Sequence, residues 1–405
     1  MGKHIHSNIF KLSTILFIGI CLQVSFMFFL MNPRTLEWSD AAHYLSIANS
    51  LANGHSYGSE PHDLFRSPGY PYFLYFITSI FGNGLILIRI IHIGIHTLFL
   101  LGVYKLGQEW KDSKFGLLLT FICSLYPYYI YIPLSIYPES LLIFLSSWII
   151  YLLLKIEKSY KYSDLILACC LISAGALTKP TFLLISFAYF VFVLLSKTFI
   201  RNKLNVGVFI LIVPTLILSS WGFYNQSIHG RFILSTAASY NLFIGFNENT
   251  TIDTKIDCPI PEEIQYHTLL AENELERDSI FKKSALEYIW NNPGRCVYLA
   301  SFRMIDLWNP IPHTTTKYSI SKKVLAGIPY AIILLFSFGG IYRIRKEPIT
   351  YLFLFILFLN TFINGIFAVS VRYRVVFDII TIMFFTVYLT DLIKRLTVRF
   401  NANHN

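Results

Sequence analysis

The sequence is poor in charged residues. Asp, Glu, Lys and Arg make up 14% of its 405 residues, whereas soluble domains carry about 25%. Hydrophobic residues make up 55% of the chain, and a water-soluble fold of this length could not bury so much apolar surface. The composition therefore excludes a soluble globular protein and predicts an all-α polytopic membrane protein.

Several motifs that indicate cofactor binding are also missing from the sequence. The sequence contains no glycine-rich phosphate loop and no βαβ nucleotide-binding pattern, so we expect no nucleotide site. None of the six cysteines falls in a CxxC or Cys/His spacing, so we expect no metal site and no cofactor. His92 and His96 share one helix face, but no third ligand accompanies them. Internal repeats, which transporters usually show, are not recognisable.

Apolar runs long enough to cross a bilayer predict about ten transmembrane helices. The fifth and sixth runs could instead form one hairpin with Lys179 and Pro180 at its tip. The predicted spans are residues 9–31, 84–105, 115–133, 136–154, 164–179, 180–196, 205–225, 324–342, 349–368 and 376–392.

The distribution of basic residues predicts the orientation in the membrane. A net charge of +10 would suggest a nucleic-acid partner in a soluble protein, but here the basic residues cluster between apolar runs, so we expect none. With both termini in the cytoplasm and the first apolar run as an uncleaved anchor, every inner segment carries a basic cluster. The outer turns at 133–136 and 179–180 carry almost none. We expect a multi-pass protein of the cell (inner or plasma) membrane.

We expect one membrane domain over residues 1–405, with three outer parts: a first loop (32–83), a large loop (226–323) and a short turn (369–375). The large loop is too long to be a mere connection. It contains a predicted helix at about 270–291, which Pro293 and Gly294 end, and an amphipathic segment at 295–308. Its two cysteines, Cys258 and Cys296, leave open whether a disulfide forms.

The first loop contains an acidic pair, Glu37 and Asp40. Ser39 is a suitable N-cap for a helix that ends near Gly54, so Asp40 lies in the first turn, where the helix dipole favours its ionised form. Tyr44 lies one turn further along the same face. An ionised carboxylate at a membrane surface suits a general base that takes a proton from a hydroxyl group. In the alternative interpretation, Asp40 only caps its helix and Glu37 is solvated.

Arg66 begins a stiff turn, Arg66-Ser67-Pro68-Gly69-Tyr70-Pro71, which leads into the apolar segment 70–82. That segment is too short to span upright, so we expect an interfacial or half-membrane helix. The prolines fix the backbone and so present Arg66 at a defined place. A guanidinium group suits bidentate phosphate binding, although Arg66 could also simply anchor the loop at lipid headgroups.

A second pair of arginines stands in Arg372-Tyr373-Arg374, in the short outer turn before the last span. Arginines on the outer face run against the positive-inside trend and need a reason. A phosphate ligand at the membrane boundary is one reason. Contact with lipid headgroups, or pairing with Asp378, is another. Lys179 is a further lone basic residue near the outer end of a span.

Together these elements resemble the type-C (GT-C) membrane glycosyltransferases, especially the bacterial lipid A aminoarabinose transferases and the protein O-mannosyltransferases. The resemblance covers about residues 1–395. It rests on Glu37-Trp38-Ser39-Asp40 with Tyr44, Arg66 to Pro71, Phe121 to Glu139, Leu177-Thr178-Lys179-Pro180-Thr181, Ala285 to Pro310, and Ser370-Val371-Arg372-Tyr373-Arg374.

The resemblance implies transfer of a hexosyl or pentosyl group from a polyprenyl-phosphate donor to a hydroxyl acceptor, on the non-cytoplasmic face of the bilayer. The acceptor would be an envelope glycan, a lipid or a protein. The alternatives are a lipid or solute transporter or flippase, a polysaccharide polymerase or ligase, and a non-catalytic protein of the same fold. The implied site residues are Asp40 and Glu37 for catalysis, Arg66, Arg372, Arg374 and Lys179 for the donor phosphate, and Tyr44, Glu139 and Tyr373 for positioning.

Overall fold

The computed structural model describes residues 2–36, 39–60, 63–195, 203–252, 258–310, 320–367 and 370–402. Glu37 and Trp38 lie outside these residues. The role predicted for Glu37 therefore stays a prediction.

The described residues form α-helices, short 3-10 turns and loops, with no β-strand among them, so the predicted all-α class is confirmed. The α-helices are α1 (Gly2–Phe29), α2 (Ser39–Ala52), α3 (Gly69–Phe81), α4 (Leu85–Trp110), α5 (Ser113–Leu125), α6 (Pro127–Tyr131), α7 (Pro138–Lys158), α8 (Tyr162–Thr178), α9 (Leu183–Leu195), α10 (Lys203–His229), α11 (Ala237–Gly245), α12 (Glu262–Leu270), α13 (Glu274–Asn291), α14 (Pro293–Asp306), α15 (Ile320–Ile344), α16 (Pro348–Ile366), α17 (Val371–Val375) and α18 (Asp378–Ala402).

The protein is a multi-pass membrane protein, but the expected number of about ten spans is not confirmed. Among the described residues, six helices are long and apolar enough to cross a bilayer: α1, α4, α7, α10, α15 and α16. The predicted spans 164–179 and 180–196 correspond to shorter apolar helices. They fall below the ~20 residues that an upright span needs. The predicted span 376–392 overlaps the 25-residue helix α18 from Asp378 onward.

The predicted span 115–133 is broken rather than straight. Helix α5 and the segment Pro127–Ser135 meet at an angle of 68°. The break falls at Tyr126, whose backbone is extended (φ −72°, ψ 118°), because the proline that follows disfavours helical geometry at this position. Counted as one bent span, the pair brings the number of candidates to seven.

The helices predicted in the loops are present, with one wrong boundary. Helices α2 and α3 match the segments expected in the first loop. In the large loop, the predicted helix 270–291 begins only at Glu274, because the Asn273 side chain caps it by accepting a hydrogen bond from Glu276 N. The separate helix α12 precedes it. Cys258 and Cys296 are buried free thiols.

The two largest apolar cores hold most of these helices together. The larger one lies among α4, α5, α7, α8, α9, α10, α15, α16 and α18. The smaller one joins the two helices of the first loop: Ala41 and Tyr44 of α2 pack with Tyr70 and Leu74 of α3 and with Ile136 just before α7. The segments that carry Asp40 and Arg66 therefore share one core.

Arg89 fixes the chain just before helix α2. Its side chain in α4 is fully buried. The guanidinium group donates to Leu134 O (2.9 Å), to Thr35 O (2.8 Å) and to Pro33 O. An arginine buried in this way is stabilised by satisfying several backbone carbonyls at once. The entry to the first loop is therefore tied to α4 and to the turn before α7.

Helix α3 begins in close contact with the end of α8. A Cβ atom at Gly69 would lie 2.5 Å from Thr178 Oγ1 and 2.6 Å from Thr178 N. Real Cβ atoms do not approach other atoms so closely, so this position requires glycine. The contact holds the Arg66 turn against the turn that carries Lys179.

We expect Gly69→Ala to lower the free energy of unfolding by about 1–3 kcal/mol, as is usual when a packed site is overfilled. Thermal unfolding in detergent micelles measures the effect. Gly94→Ala is the matched control, because a Cβ at Gly94 of α4 meets no atom within 4 Å. If Gly69→Ala and wild type unfold at the same temperature, the contact between Gly69 and Thr178 does not require glycine.

Candidate active site

The centre of the candidate site is a carboxylate shared by two arginines. Asp40 Oδ1 lies 2.6 Å from Arg66 Nη2, and Asp40 Oδ2 lies 2.9 Å from Arg372 Nη1. Asp40 stands in the first turn of α2, Arg66 follows the first loop's 3-10 turn, and Arg372 lies in α17. The structure thus joins three segments that are far apart in the sequence.

The two arginines control the charge of Asp40. Burial acts to raise the pKa of the Asp40 carboxyl group, but Arg66 and Arg372 outweigh burial and lower that pKa below its ordinary value. Opposite charges at hydrogen-bonding distance have this effect because they favour the ionised form. Asp40 is therefore a carboxylate at neutral pH, and two cations face it.

Arg66 is held on several sides. Its Nε donates to His43 Nδ1 at 3.2 Å, so that His43 nitrogen carries no proton in this arrangement. The Arg66 guanidinium carbon lies 4.7 Å from the centre of the Tyr44 ring and 5.0 Å from that of Phe65. His43 was not predicted as a site residue. Its position three residues after Asp40, on the same helix face, was the available signal.

Arg372 faces a second group of charges. Its guanidinium carbon lies 4.5 Å from the centre of the Tyr137 ring. Lys179 Nζ lies over the ring of the neighbouring Tyr373, 3.3 Å from its centre. Lys179 Nζ also lies 4.0 Å from Glu139 Oε1. Burial lowers the pKa of the Lys179 ammonium group to about 8, with Glu139 acting to raise it and Arg372 to lower it.

Glu139 is almost completely buried, with 3% of its side chain exposed. Its Oε2 atom has no hydrogen-bond partner in the described part of the chain. A buried oxygen without a partner is costly. It is therefore an acceptor that a ligand could satisfy.

These residues surround one cavity of about 190 Å³. Every predicted site residue that the structure describes lines this cavity, with the exception of Arg374. The lining includes Asp40, Tyr44, Arg66, Glu139, Lys179, Arg372 and Tyr373.

Arg374 does not line the cavity, so its predicted role as a phosphate ligand does not fit its position. It is 1% exposed and pairs with Asp378 at 3.2 Å, the alternative considered above. Its Nη1 also donates to Leu307 O (3.2 Å) and to Asn309 O (3.1 Å). Residues two apart on a helix point in different directions, so Arg372 and Arg374 cannot both face the cavity.

The sequence did not identify a part of the cavity wall that the large loop and α16 form. Ser235 and Asn241 come from the large loop, and Asn364 and Phe367 come from the end of α16. This wall consists of amide, hydroxyl and apolar groups. Such residues carry no distinctive pattern, although the length of the large loop did predict that it has a function. No three His, Cys, Asp or Glu side chains in the described ranges lie close enough to hold a metal ion.

Part of the chain matches a protein-family model. The model described as dolichyl-phosphate-mannose-protein mannosyltransferase matches residues 65–221, which is less than half of the chain. The matched region includes Arg66, Glu139 and Lys179. No curated protein sequence matches this chain.

Solved structures resemble this chain over nearly its whole length. The oligosaccharyltransferase AglB from Archaeoglobus fulgidus, in complex with an inhibitory peptide and a dolichol-phosphate, aligns with a TM-score of 0.57 and 13% identity over 97% of this chain and 51% of AglB. A structure of an Archaeoglobus fulgidus oligosaccharyltransferase tethered with an acceptor peptide aligns with a TM-score of 0.58 and 15% identity over 96% of this chain and 50% of that one. The chain thus spans about half the length of AglB. ArnT from Cupriavidus metallidurans, bound to undecaprenyl phosphate, aligns with a TM-score of 0.48 and 10% identity over 94% of this chain and 77% of ArnT.

At these identities the likeness to AglB shows a shared fold. It agrees with the helical architecture and with the family match. The resemblance predicted from the sequence motifs is therefore confirmed: this chain has the fold of the type-C (GT-C) membrane glycosyltransferases.

Proposed function

We propose that this protein is a glycosyltransferase that moves a sugar from a polyprenyl-phosphate donor to a hydroxyl group. The observation that carries the proposal is the convergence of Arg66 and Arg372 on one anionic position inside a cavity. The family match and the dolichol-phosphate in the AglB structure support a lipid-phosphate donor. We propose a hexosyl or pentosyl group as the sugar, and an envelope glycan, a lipid or a protein as the acceptor.

The donor phosphate would bind between Arg66 and Arg372. Guanidinium groups bind phosphate oxygens through paired, charge-assisted hydrogen bonds. Lys179 adds a third positive charge on the same cavity. When the bond between the sugar and the phosphate breaks, negative charge builds on the departing phosphate, and cations already in place stabilise that charge.

Asp40 would act as the general base. Both of its oxygens now accept hydrogen bonds from arginines, which makes it a weak base. A phosphate that draws the guanidinium groups toward itself removes part of this stabilisation and raises the basicity of Asp40. Asp40 can then take the proton of the acceptor hydroxyl group while the oxygen of that hydroxyl group attacks the anomeric carbon. Polyprenyl phosphate leaves, and the configuration at that carbon inverts.

The remaining site residues would position the substrates. Glu139 offers an unpartnered oxygen inside the cavity, which suits a sugar hydroxyl donor. Tyr44 and Tyr373 hold Arg66 and Lys179 through their rings. Glu37 would assist Asp40 from the segment before α2. The alternation of basic clusters supports a site on the non-cytoplasmic face of the plasma membrane, with both termini inside.

Lipid-linked sugars and envelope glycans, analysed in cells with and without this chain, test the function. We expect cells that lack it to accumulate a polyprenyl-phosphate sugar and to lose that sugar from one envelope acceptor. Purified protein in proteoliposomes, supplied with the accumulated donor and that acceptor, should then move the sugar to the acceptor and release polyprenyl phosphate. Movement of the donor between leaflets without any loss of its sugar would contradict the proposal and favour a flippase.

Asp40→Asn should lower the rate of transfer by about 10²- to 10⁴-fold, which is the usual contribution of general-base catalysis. The affinity for polyprenyl phosphate should be preserved or increased, because the lost carboxylate no longer competes for the two arginines. Single-turnover transfer and lipid binding in nanodiscs measure the two effects. Glu60→Gln is the control, since Glu60 is an exposed acidic residue of the same loop. An Asp40→Asn protein with full transfer would remove Asp40 as the base.

Lys179 should make donor binding dependent on pH. It is protonated below its pKa of about 8 and loses its positive charge above that pH. The affinity for polyprenyl phosphate should therefore fall between pH 7.5 and pH 9.5 by about fivefold, since a partly exposed charge pair is worth ~1 kcal/mol. Lys179→Arg, which stays charged, should flatten this dependence. An equal fall in affinity in both proteins would place the titration elsewhere.

A further inference from the structure

The turn that carries Arg66 is fixed from outside along its backbone. Three consecutive carbonyl groups, those of Leu64, Phe65 and Arg66, each accept a hydrogen bond from another segment. The donors are, in that order, Thr236 N (3.0 Å), Ser235 Oγ (2.8 Å) and Tyr57 OH (2.7 Å). The large loop thus supplies two of the three donors. Because the prediction for Arg66 rested on prolines within the turn, this external support was not anticipated.

Glu274 adds a third connection between the two loops. Its Oε2 accepts a hydrogen bond from Leu64 N at 3.2 Å, and its Oε1 accepts one from Thr236 Oγ1 at 2.5 Å. The Glu274 side chain is half-buried. One carboxylate therefore binds both the Arg66 turn and the segment of the large loop at Thr236 that contacts it.

Glu274 is not needed to cap its own helix. Asn273 caps α13 by accepting from Glu276 N at 2.9 Å. Glu276 reaches back and accepts from Glu272 N at 2.7 Å. These two bonds satisfy the Glu276 amide in the first helical turn and the Glu272 amide just before the N-cap without any contribution from Glu274. Both oxygens of Glu274, by contrast, bind groups outside α13.

We propose that Glu274 is a positioning residue for the donor site, acting through Arg66. The inference rests on the proposed function, because it assigns Glu274 to the same phosphate site. A guanidinium group stabilises charge only if its support holds it within about 0.5 Å of the productive position. Without Glu274, the Leu64 amide two residues before Arg66 and the Thr236 hydroxyl group both lose their acceptor. The large loop forms the cavity wall at Ser235 and Asn241. Through Glu274 it also fixes the position of the Arg66 guanidinium group.

The test compares three variants of the full-length protein in nanodiscs. Glu274→Ala should weaken the binding of polyprenyl phosphate by about tenfold, in line with the loss of one or two buried hydrogen bonds. Glu274→Gln should restore most of the affinity, because its amide oxygen still accepts from Leu64 N and its amide nitrogen can donate to Thr236. Glu276→Ala is the matched control, a carboxylate in the same helical turn that does not contact the Arg66 turn. It should bind as wild type.

The same comparison in an Arg66→Ala background separates positioning from general stability. If Glu274 acts through Arg66, Glu274→Ala should cause no further loss of affinity once Arg66 is removed. An equal loss in both backgrounds would overturn the proposal, as would wild-type affinity in Glu274→Ala.

Amide hydrogen exchange over residues 63–67 gives a readout that needs no donor. We expect faster exchange in Glu274→Ala and unchanged exchange in Glu276→Ala. Failure of the wild-type protein to bind polyprenyl phosphate would contradict the proposed function. The exchange data alone would then decide whether Glu274 holds the Arg66 turn. Unchanged exchange in Glu274→Ala would contradict the positioning role even if the donor binds.

Discussion

The account depends on a single charge arrangement, in which the Asp40 carboxylate is shared by Arg66 and Arg372. Ion pairs removed from water are stable only when good geometry repays their desolvation. With two cations for one anion, the group keeps a net positive charge and can attract a second anion. The same contact therefore closes the fold between distant segments and prepares a site for phosphate.

Each arm of this arrangement has its own support in the fold. Arg89 fixes the chain that leads to Asp40. Glu274 ties the Arg66 turn to the large loop. The buried pair of Arg374 and Asp378 holds the short helix that presents Arg372. None of these supporting groups lines the cavity. Such supports matter because a preorganised site does not have to rearrange as charge develops.

The sequence predicted the parts of the site that carry charge. Asp40, Arg66 and Arg372 were recognisable because charged residues beside apolar runs are rare, and the alternation of basic clusters placed them on one face. The sequence could not predict which of Arg372 and Arg374 faces the cavity, since tertiary packing decides the rotation of a five-residue helix. The wall at Asn241 and Asn364 was equally inaccessible, because it depends on packing between distant segments. The bend at Tyr126, by contrast, has a local signal in Pro127, which the prediction of a straight span over 115–133 did not use.

The most direct test of the central claim is an experimental structure of the protein with polyprenyl phosphate. The account predicts a phosphate group within hydrogen-bonding distance of both Arg66 and Arg372, and an Asp40 carboxylate that has lost at least one of its two arginine contacts. A phosphate bound elsewhere, with both contacts of Asp40 intact, would contradict it.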